Sequence, residues 1–156
     1  MDMNSFLDLW NKAKSDPVKV IELFMRAILE CEKDKKKGLI MLSYVLHTDR
    51  CVKSSESPSG FLPNPRGVGF YIDQMLRKPN IVRSYIGGAP ENGYSIDESN
   101  IKITVVSAVV QGDEAKVIIK SSGKDFPTPI KLKFEEGAWK IFEGVSSIAT
   151  GVKPPK

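Results

Sequence analysis

A chain of 156 residues, 41% apolar and 27% charged, has the size and composition of one globular domain and not those of a disordered or fibrous chain. Its 23 Lys+Arg against 19 Asp+Glu leave a net charge of +4, spread along the chain, which disfavours a dedicated nucleic-acid binder. Cys31 and Cys51 are too few for a disulfide scaffold, no apolar run reaches the roughly 18 residues of a membrane span, and Met1 to Ser5 lack a secretion-signal pattern, so the expectation is a cytoplasmic protein with reduced thiols and no membrane partner.

The apolar spacing is helical before about residue 87 and alternates after about residue 100. This predicts an α+β fold in a single domain over 1–156, with N-terminal helices (about 3–87) packed on one face of a C-terminal antiparallel meander of four to five strands (about 100–152). Phe6, Leu7, Leu9, Trp10 and Ala13 mark a first helix, stopped by Ser15-Asp16-Pro17. Asp16 then caps a second helix with Pro17 at its first position, running to about Lys33 with Val20, Ile21, Phe24, Met25 and Ile28 on one stripe. Gly38 to His47 is apolar nearly all round and predicts a central buried helix, a short buried strand being the alternative. The Ser/Pro/Gly-rich stretch from Lys53 to Gly67 predicts a mobile loop. Val68, Tyr71, Ile72, Met75 and Leu76 repeat at helical spacing, Pro79 interrupts, Ile81, Val82, Tyr85 and Ile86 add a further helical turn, and Gly87-Gly88 ends it.

Strands follow near 101–110, 114–121, 129–135 and 138–143, separated by Gln111-Gly112-Asp113, Ser122-Gly123-Lys124-Asp125 and Glu136-Gly137 turns, with a fifth short strand around 147–152. Alternation places Ile101, Ile103, Val105, Val117, Ile119, Ile130, Leu132, Phe134, Trp139 and Ile141 on the face toward the helices. Lys102, Lys116, Lys120, Lys131, Lys133 and Lys140, with Ile118 and Phe142 between them, then form a solvated, basic outer face.

That face is the clearest candidate for chemistry: Lys131, Lys133 and Lys140 could track a phosphate backbone while Phe142 stacks a base, although exposed lysines also serve solubility and guard sheet edges. His47-x-Asp49-x-Cys51 is the one cluster with nucleophilic character, but a strand spaces alternate side chains by about 6.6 Å and a helix turns Asp49 away. With Cys31 it makes four ligating side chains whose spacing matches no zinc motif, so neither a metal nor a cofactor is expected. Arg66-Gly67-Val68-Gly69 lacks the remaining residues of a dinucleotide or phosphate loop and reads as a helix start. Phe61 and Leu62, apolar inside a polar loop, must tuck back onto the domain or meet another molecule.

The stretches Gly87-Gly88-Ala89-Pro90-Glu91-Asn92-Gly93-Tyr94, Ser121-Ser122-Gly123-Lys124-Asp125-Phe126-Pro127-Thr128-Pro129-Ile130, Trp139-Lys140, Ser146-Ser147 and Gly151-Val152-Lys153-Pro154-Pro155 resemble an uncharacterised bacterial domain family. The resemblance implies a bacterial, cytoplasmic, helix-then-sheet domain and assigns no functional residue. More distantly, helices followed by an antiparallel sheet with a Trp-Lys strand look like the nuclear-transport-factor-2-like and cystatin-like cone.

With no acid, base and nucleophile set together, the leading expectation is a non-catalytic protein-interaction or accessory domain with a protein partner. Its contact surfaces would be the 54–67 loop, the 87–94 loop and the lysine face. The alternatives are a small-molecule pocket between helices and sheet, lined by some of Tyr71, Tyr85, Tyr94 and Trp139 with hydrolase or isomerase activity, and weak polyanion binding by the sheet.

Overall fold

The computed structural model describes residues 1–156. Three helices come first, and aspartates start each of them. Asp2 accepts from the Ser5 amide to cap α1 (Met3–Ala13), and Asp16 accepts from the Val18 amide to cap α2 (Pro17–Lys33). Asp34 ends α2 and, by accepting from the Lys37 amide, starts α3 (Lys35–Val45), so the buried third segment is a helix that begins before Gly38. The α2–α3 turn is so tight that Gly38 lies directly against the backbone of Cys31.

The stretch expected as a mobile loop is a small hairpin. After a 3-10 turn at Thr48–Arg50, β1 (Cys51–Lys53) pairs antiparallel with β2 (Phe61–Pro63), Cys51 opposite Pro63 and Lys53 opposite Phe61. Serine hydroxyls replace the ladder at its tip: Ser59 Oγ lies 2.6 Å from Ser43 Oγ on α3 and 2.8 Å from Ser57 Oγ. Phe61 and Leu62 are half-buried in this hairpin. Then come α4 (Val68–Arg77), α5 (Asn80–Arg83) and a 3-10 turn at Pro90–Asn92.

The second half is an antiparallel meander in the order β3 (Thr104–Gln111), β4 (Glu114–Lys120), β5 (Thr128–Glu135), β6 (Ala138–Glu143). Its inner face is as expected over β4–β6 apart from Phe134: Val117, Ile119, Ile130, Leu132, Trp139 and Ile141 are buried in one core with Phe6, Phe24, Ile28 and Leu42 from the helices. The fifth strand is absent. Residues 145–148 instead form a short helix, α6 (Val145–Ile148), whose Val145 and Ile148 enter the core. The free edge of β6 is already taken: Leu46 bridges Ile141 in parallel and the His47 amide donates to the Ile141 carbonyl at 2.9 Å, so the chain after Gly144 finds no strand to join.

β3 also departs from expectation. It begins at Thr104, leaving Ile101 and Ile103 half-buried before it, and Val105 is 39% exposed instead of facing the core. A β-bulge between Val105 and Ser107 shifts its register, and α2 packs over β4 and β6 while β3 forms the uncovered edge. Phe134, expected inside, is 39% exposed at the end of β5, with its ring edge-to-face with Trp139 at 5.2 Å. No helix is long and apolar enough to cross a membrane.

Candidate functional site

On the outer sheet face, Lys116 and Lys120 on β4 are exposed as expected, whereas Lys131, Lys133 and Lys140 are half-buried. Lys140 pairs with Glu135, Lys133 lies against the Phe142 ring and Lys131 lines a groove, while the chain leaving α3 runs along the β6 edge into the Thr48–Arg50 turn. Glu135 pins the turn: its carboxylate accepts from the Thr48 amide at 3.2 Å and hydroxyl at 2.6 Å, and lies 3.2 Å from both His47 Nε2 and Lys140 Nζ. Burial pushes the Glu135 carboxyl up, but the bonds from Thr48 and Lys140 outweigh it and hold the group below its ordinary range. His47 Nδ1 accepts from the Asp49 amide at 3.1 Å, so the proton sits on Nε2 and points at Glu135. The lone imidazole and one ammonium therefore do converge, around a carboxylate whose oxygens are all engaged.

Beside this cluster Arg50 donates from Nε to the Phe142 carbonyl at 2.8 Å and lies 4.4 Å from the Phe142 ring centre, with Lys133 Nζ 3.7 Å from the same ring centre. The aromatic ring expected to stack a base is occupied by two cations. Between Arg50, the start of α4 and the sheet lies a cavity of about 730 Å³, lined by Tyr71, Lys116 and Lys131 among others.

A second polar centre lies behind β5. Lys124, expected in a turn and in the resemblance stretch 121–130, donates to Tyr85 Oη at 2.8 Å, the Ser147 carbonyl at 3.1 Å, the Ile148 carbonyl at 2.8 Å and Thr150 Oγ1 at 2.8 Å, with no carboxylate partner. Burial pulls its ammonium down to about 8 and pushes the Tyr85 hydroxyl up to about 12. Tyr85 Oη also lies 2.6 Å from Thr128 Oγ1. Nearby, Tyr94 Oη donates to the Lys153 carbonyl and the Lys153 amide donates to Gly123 O at 2.9 Å; a Cβ on Gly123 would lie 2.6 Å from Tyr94 Oη. The motif segments around 87–94, 121–130, 146–147 and 151–155 thus meet in space, as mutual hydrogen-bonding partners.

The aromatics expected to line one pocket are dispersed. Tyr71 lines the outer groove, Tyr85 and Tyr94 are buried with their hydroxyls satisfied, and Trp139 is core. Burial pushes the Cys31 thiol up to about 12 and Cys51 to about 11, so neither is a ready nucleophile at neutral pH. No group of three or more His, Cys, Asp or Glu side chains is placed to hold a metal. Arg50, Glu135 and Lys124 organise the two polar centres; the sequence singled out neither Arg50 nor Glu135 as a site residue, and only the turn at Ser122-Gly123-Lys124-Asp125 and the stretch 121–130 pointed to an ordered position for Lys124.

A family model described as a domain of unknown function, DUF6935, matches residues 1–156. The chain belongs to the DUF6935 family. No curated protein and no solved structure matches this DUF6935 chain. The helix-plus-sheet likeness read from its motifs is thereby that of DUF6935, and the cone-like comparison gains nothing from the match.

Proposed function

We propose that this DUF6935 domain is a non-catalytic interaction module that docks through its β3 edge, with a second copy of itself as the partner. One observation carries the reading: β3 is an eight-residue edge strand without a charged residue, and Val105, Val106, Val109 and Val110 are 39–59% exposed on it. Such an edge offers unpaired backbone donors and acceptors beside apolar side chains.

Self-pairing is favoured by the order of the residues. Thr104-Val105-Val106-Ser107-Ala108-Val109-Val110-Gln111 reads almost the same in both directions, so two antiparallel copies set Val105 against Val110 and Val106 against Val109. The bulge helps, because it puts Val105, opposite Ile119, and Val110, opposite Ala115, on the same sheet face despite their odd spacing. Covering the exposed half of each valine is worth roughly 1 kcal/mol, so eight of them only just offset an association cost of about 4–15 kcal/mol. The expected dimer is weak and reversible.

A non-catalytic role rests on the donor-filled carboxylate of Glu135, the engaged ring nitrogens of His47 and the two protonated thiols. The two unpaired cysteines suit a reducing, cytoplasmic setting. A ligand pocket between helices and sheet, as the cone-like comparison would require, has Trp139, Ile141, Leu42 and Phe24 packed in its place.

Sedimentation velocity across about 10–500 µM tests the proposal. The chain should pass from monomer to dimer, and Val109→Glu should remain monomeric while staying folded, because the introduced carboxylate would face Lys116 across the β3–β4 ladder. A wild-type chain that stays monomeric throughout, or a Val109→Glu chain that dimerises equally well, overturns it.

A further inference from the structure

The groove of about 730 Å³ on the outer sheet face is lined by no residue of β3 and carries an independent inference. Three cations line it. Arg50 spends only Nε on the protein, at the Phe142 carbonyl, so both terminal nitrogens of its guanidinium lack a protein acceptor. Lys116 and Lys131 stand directly opposite each other in the β4–β5 register, and neither forms an ion pair or a side-chain hydrogen bond. Like charges directly opposite on a sheet are unfavourable, and this pair is not neutralised within the chain. Glu143 is the cross-strand neighbour of Lys131 on the other side and lines the groove, yet makes no ion pair with it within 4.0 Å. Asp49 is the second carboxylate of the lining, so the cations outnumber the carboxylates.

From this arrangement we infer that the groove is a binding site for a phosphorylated small molecule with a hydroxyl-bearing body. The phosphate sits between Lys116, Lys131 and the free fork of Arg50, where one dianion relieves the repulsion of the lysine pair and takes the charge-assisted hydrogen bonds the guanidinium has to give. The body extends toward Asp49 and Glu143, whose carboxylates accept from hydroxyls, and toward Tyr71 on α4. The volume suits a ligand of sugar-phosphate to nucleotide size and exceeds what inorganic phosphate fills. An extended polyanion fits less well, because the Phe142 ring that would stack a base is already covered by Arg50 and Lys133.

Isothermal titration calorimetry at constant ionic strength, with inorganic phosphate, inorganic pyrophosphate and ribose 5-phosphate as probes, tests the assignment. Pyrophosphate and ribose 5-phosphate should bind, ribose 5-phosphate more tightly than inorganic phosphate. Lys131→Gln should weaken both by about tenfold while leaving the melting temperature unchanged or slightly higher, since it removes one of two facing charges. That second readout separates loss of a binding group from loss of the fold. Lys120→Gln, on the same strand as Lys116 but outside the groove, should change affinity less than twofold, roughly the scale of a screened surface charge. No heat with pyrophosphate, equal losses for Lys120→Gln and Lys131→Gln, equal affinity for ribose 5-phosphate and inorganic phosphate, or a single-stranded oligonucleotide that outcompetes pyrophosphate would each overturn it.

Discussion

Replacing Glu135 with Gln changes one oxygen to an amide nitrogen and removes the charge that holds the Thr48–Arg50 turn on the sheet. The geometry decides how the amide must sit. One carboxylate oxygen receives the Thr48 amide and Lys140 Nζ, both obligate donors, so the remaining amide oxygen has to stay there. The amide nitrogen then meets Thr48 Oγ1, which can rotate to accept, and His47 Nε2, which cannot, because Nδ1 is already the acceptor for the Asp49 amide. One charge-assisted bond is lost outright and the others fall to neutral strength, which at about 1.5–3 kcal/mol per bond to a charged group sums to a destabilisation of roughly 2–4 kcal/mol. For a domain of this length that lowers Tm by about 5–15 °C.

The effect should depend on pH in a defined direction. The folded Glu135 carboxyl is held below its ordinary value of 4.5, so its contribution is present above that value and is lost as pH falls through the lower folded one. Urea denaturation of both chains at pH 7 and stepwise to pH 3 should show the gap closing only in the acid limb. A Gln variant within about 0.5 kcal/mol of wild type, or a gap that persists unchanged into acid, would refute the account of Glu135 as an ionised clamp.

Gly38→Ala should destabilise the chain by about 1–3 kcal/mol in chemical denaturation, despite gaining roughly 1 kcal/mol of helix propensity. Its Cβ would lie 2.5 Å from the Cys31 amide nitrogen and 2.6 Å from Cys31 Cα, backbone atoms that no rotamer change can move; a neutral or stabilising result would contradict so close a turn. Lys124→Met should remove a pH dependence on the alkaline side. The folded ammonium titrates at about 8 against an ordinary 10.5, so the unfolded chain binds the proton more tightly between those values. The charged group therefore carries a penalty that is full below about 8 and relieved as pH rises toward 10.5, and wild-type stability relative to Lys124→Met should climb across that window. A flat or falling difference would show that the four acceptors outweigh desolvation.

Local chemistry was legible wherever neighbours along the chain decide it. Asp16 followed by Pro17 marks a helix start because the cap and the missing N–H concern the same first turn, and the Gly-containing turns at 112, 123 and 137 separate four strands because hairpin geometry is local. Alternation identified the buried face of β4 to β6 except for Phe134, which the end of β5 leaves exposed. It failed on β3, where Val105 sits on the expected face opposite Ile119 but the contacts of α2 fall on β4 and β6, and on 147–152, where strand-like residues met an edge already occupied by Leu46 and His47. The 53–67 stretch misled for a related reason: Ser57 and Ser59 look like loop residues until Ser43, on a helix, supplies their partner.

The residues of the proposed site divide along the same line. Lys116, Lys131 and Phe142 could be assigned to one sheet face from spacing alone, whereas the opposition of Lys116 and Lys131 depends on the β4–β5 register, and the Arg50 guanidinium over Phe142 and the filling of Glu135 depend on segments about 90 positions apart in the chain. By itself the sequence determined the α+β class, the capped helices, the meander and, Phe134 excepted, which of the expected β4–β6 side chains enter the core, since these follow from backbone propensity and the period of apolar residues. Only the tertiary structure decided which edge stays open, which lysines lack a counter-charge and where Lys124 finds its acceptors, because charge neutralisation and edge coverage are settled between residues that no local pattern connects.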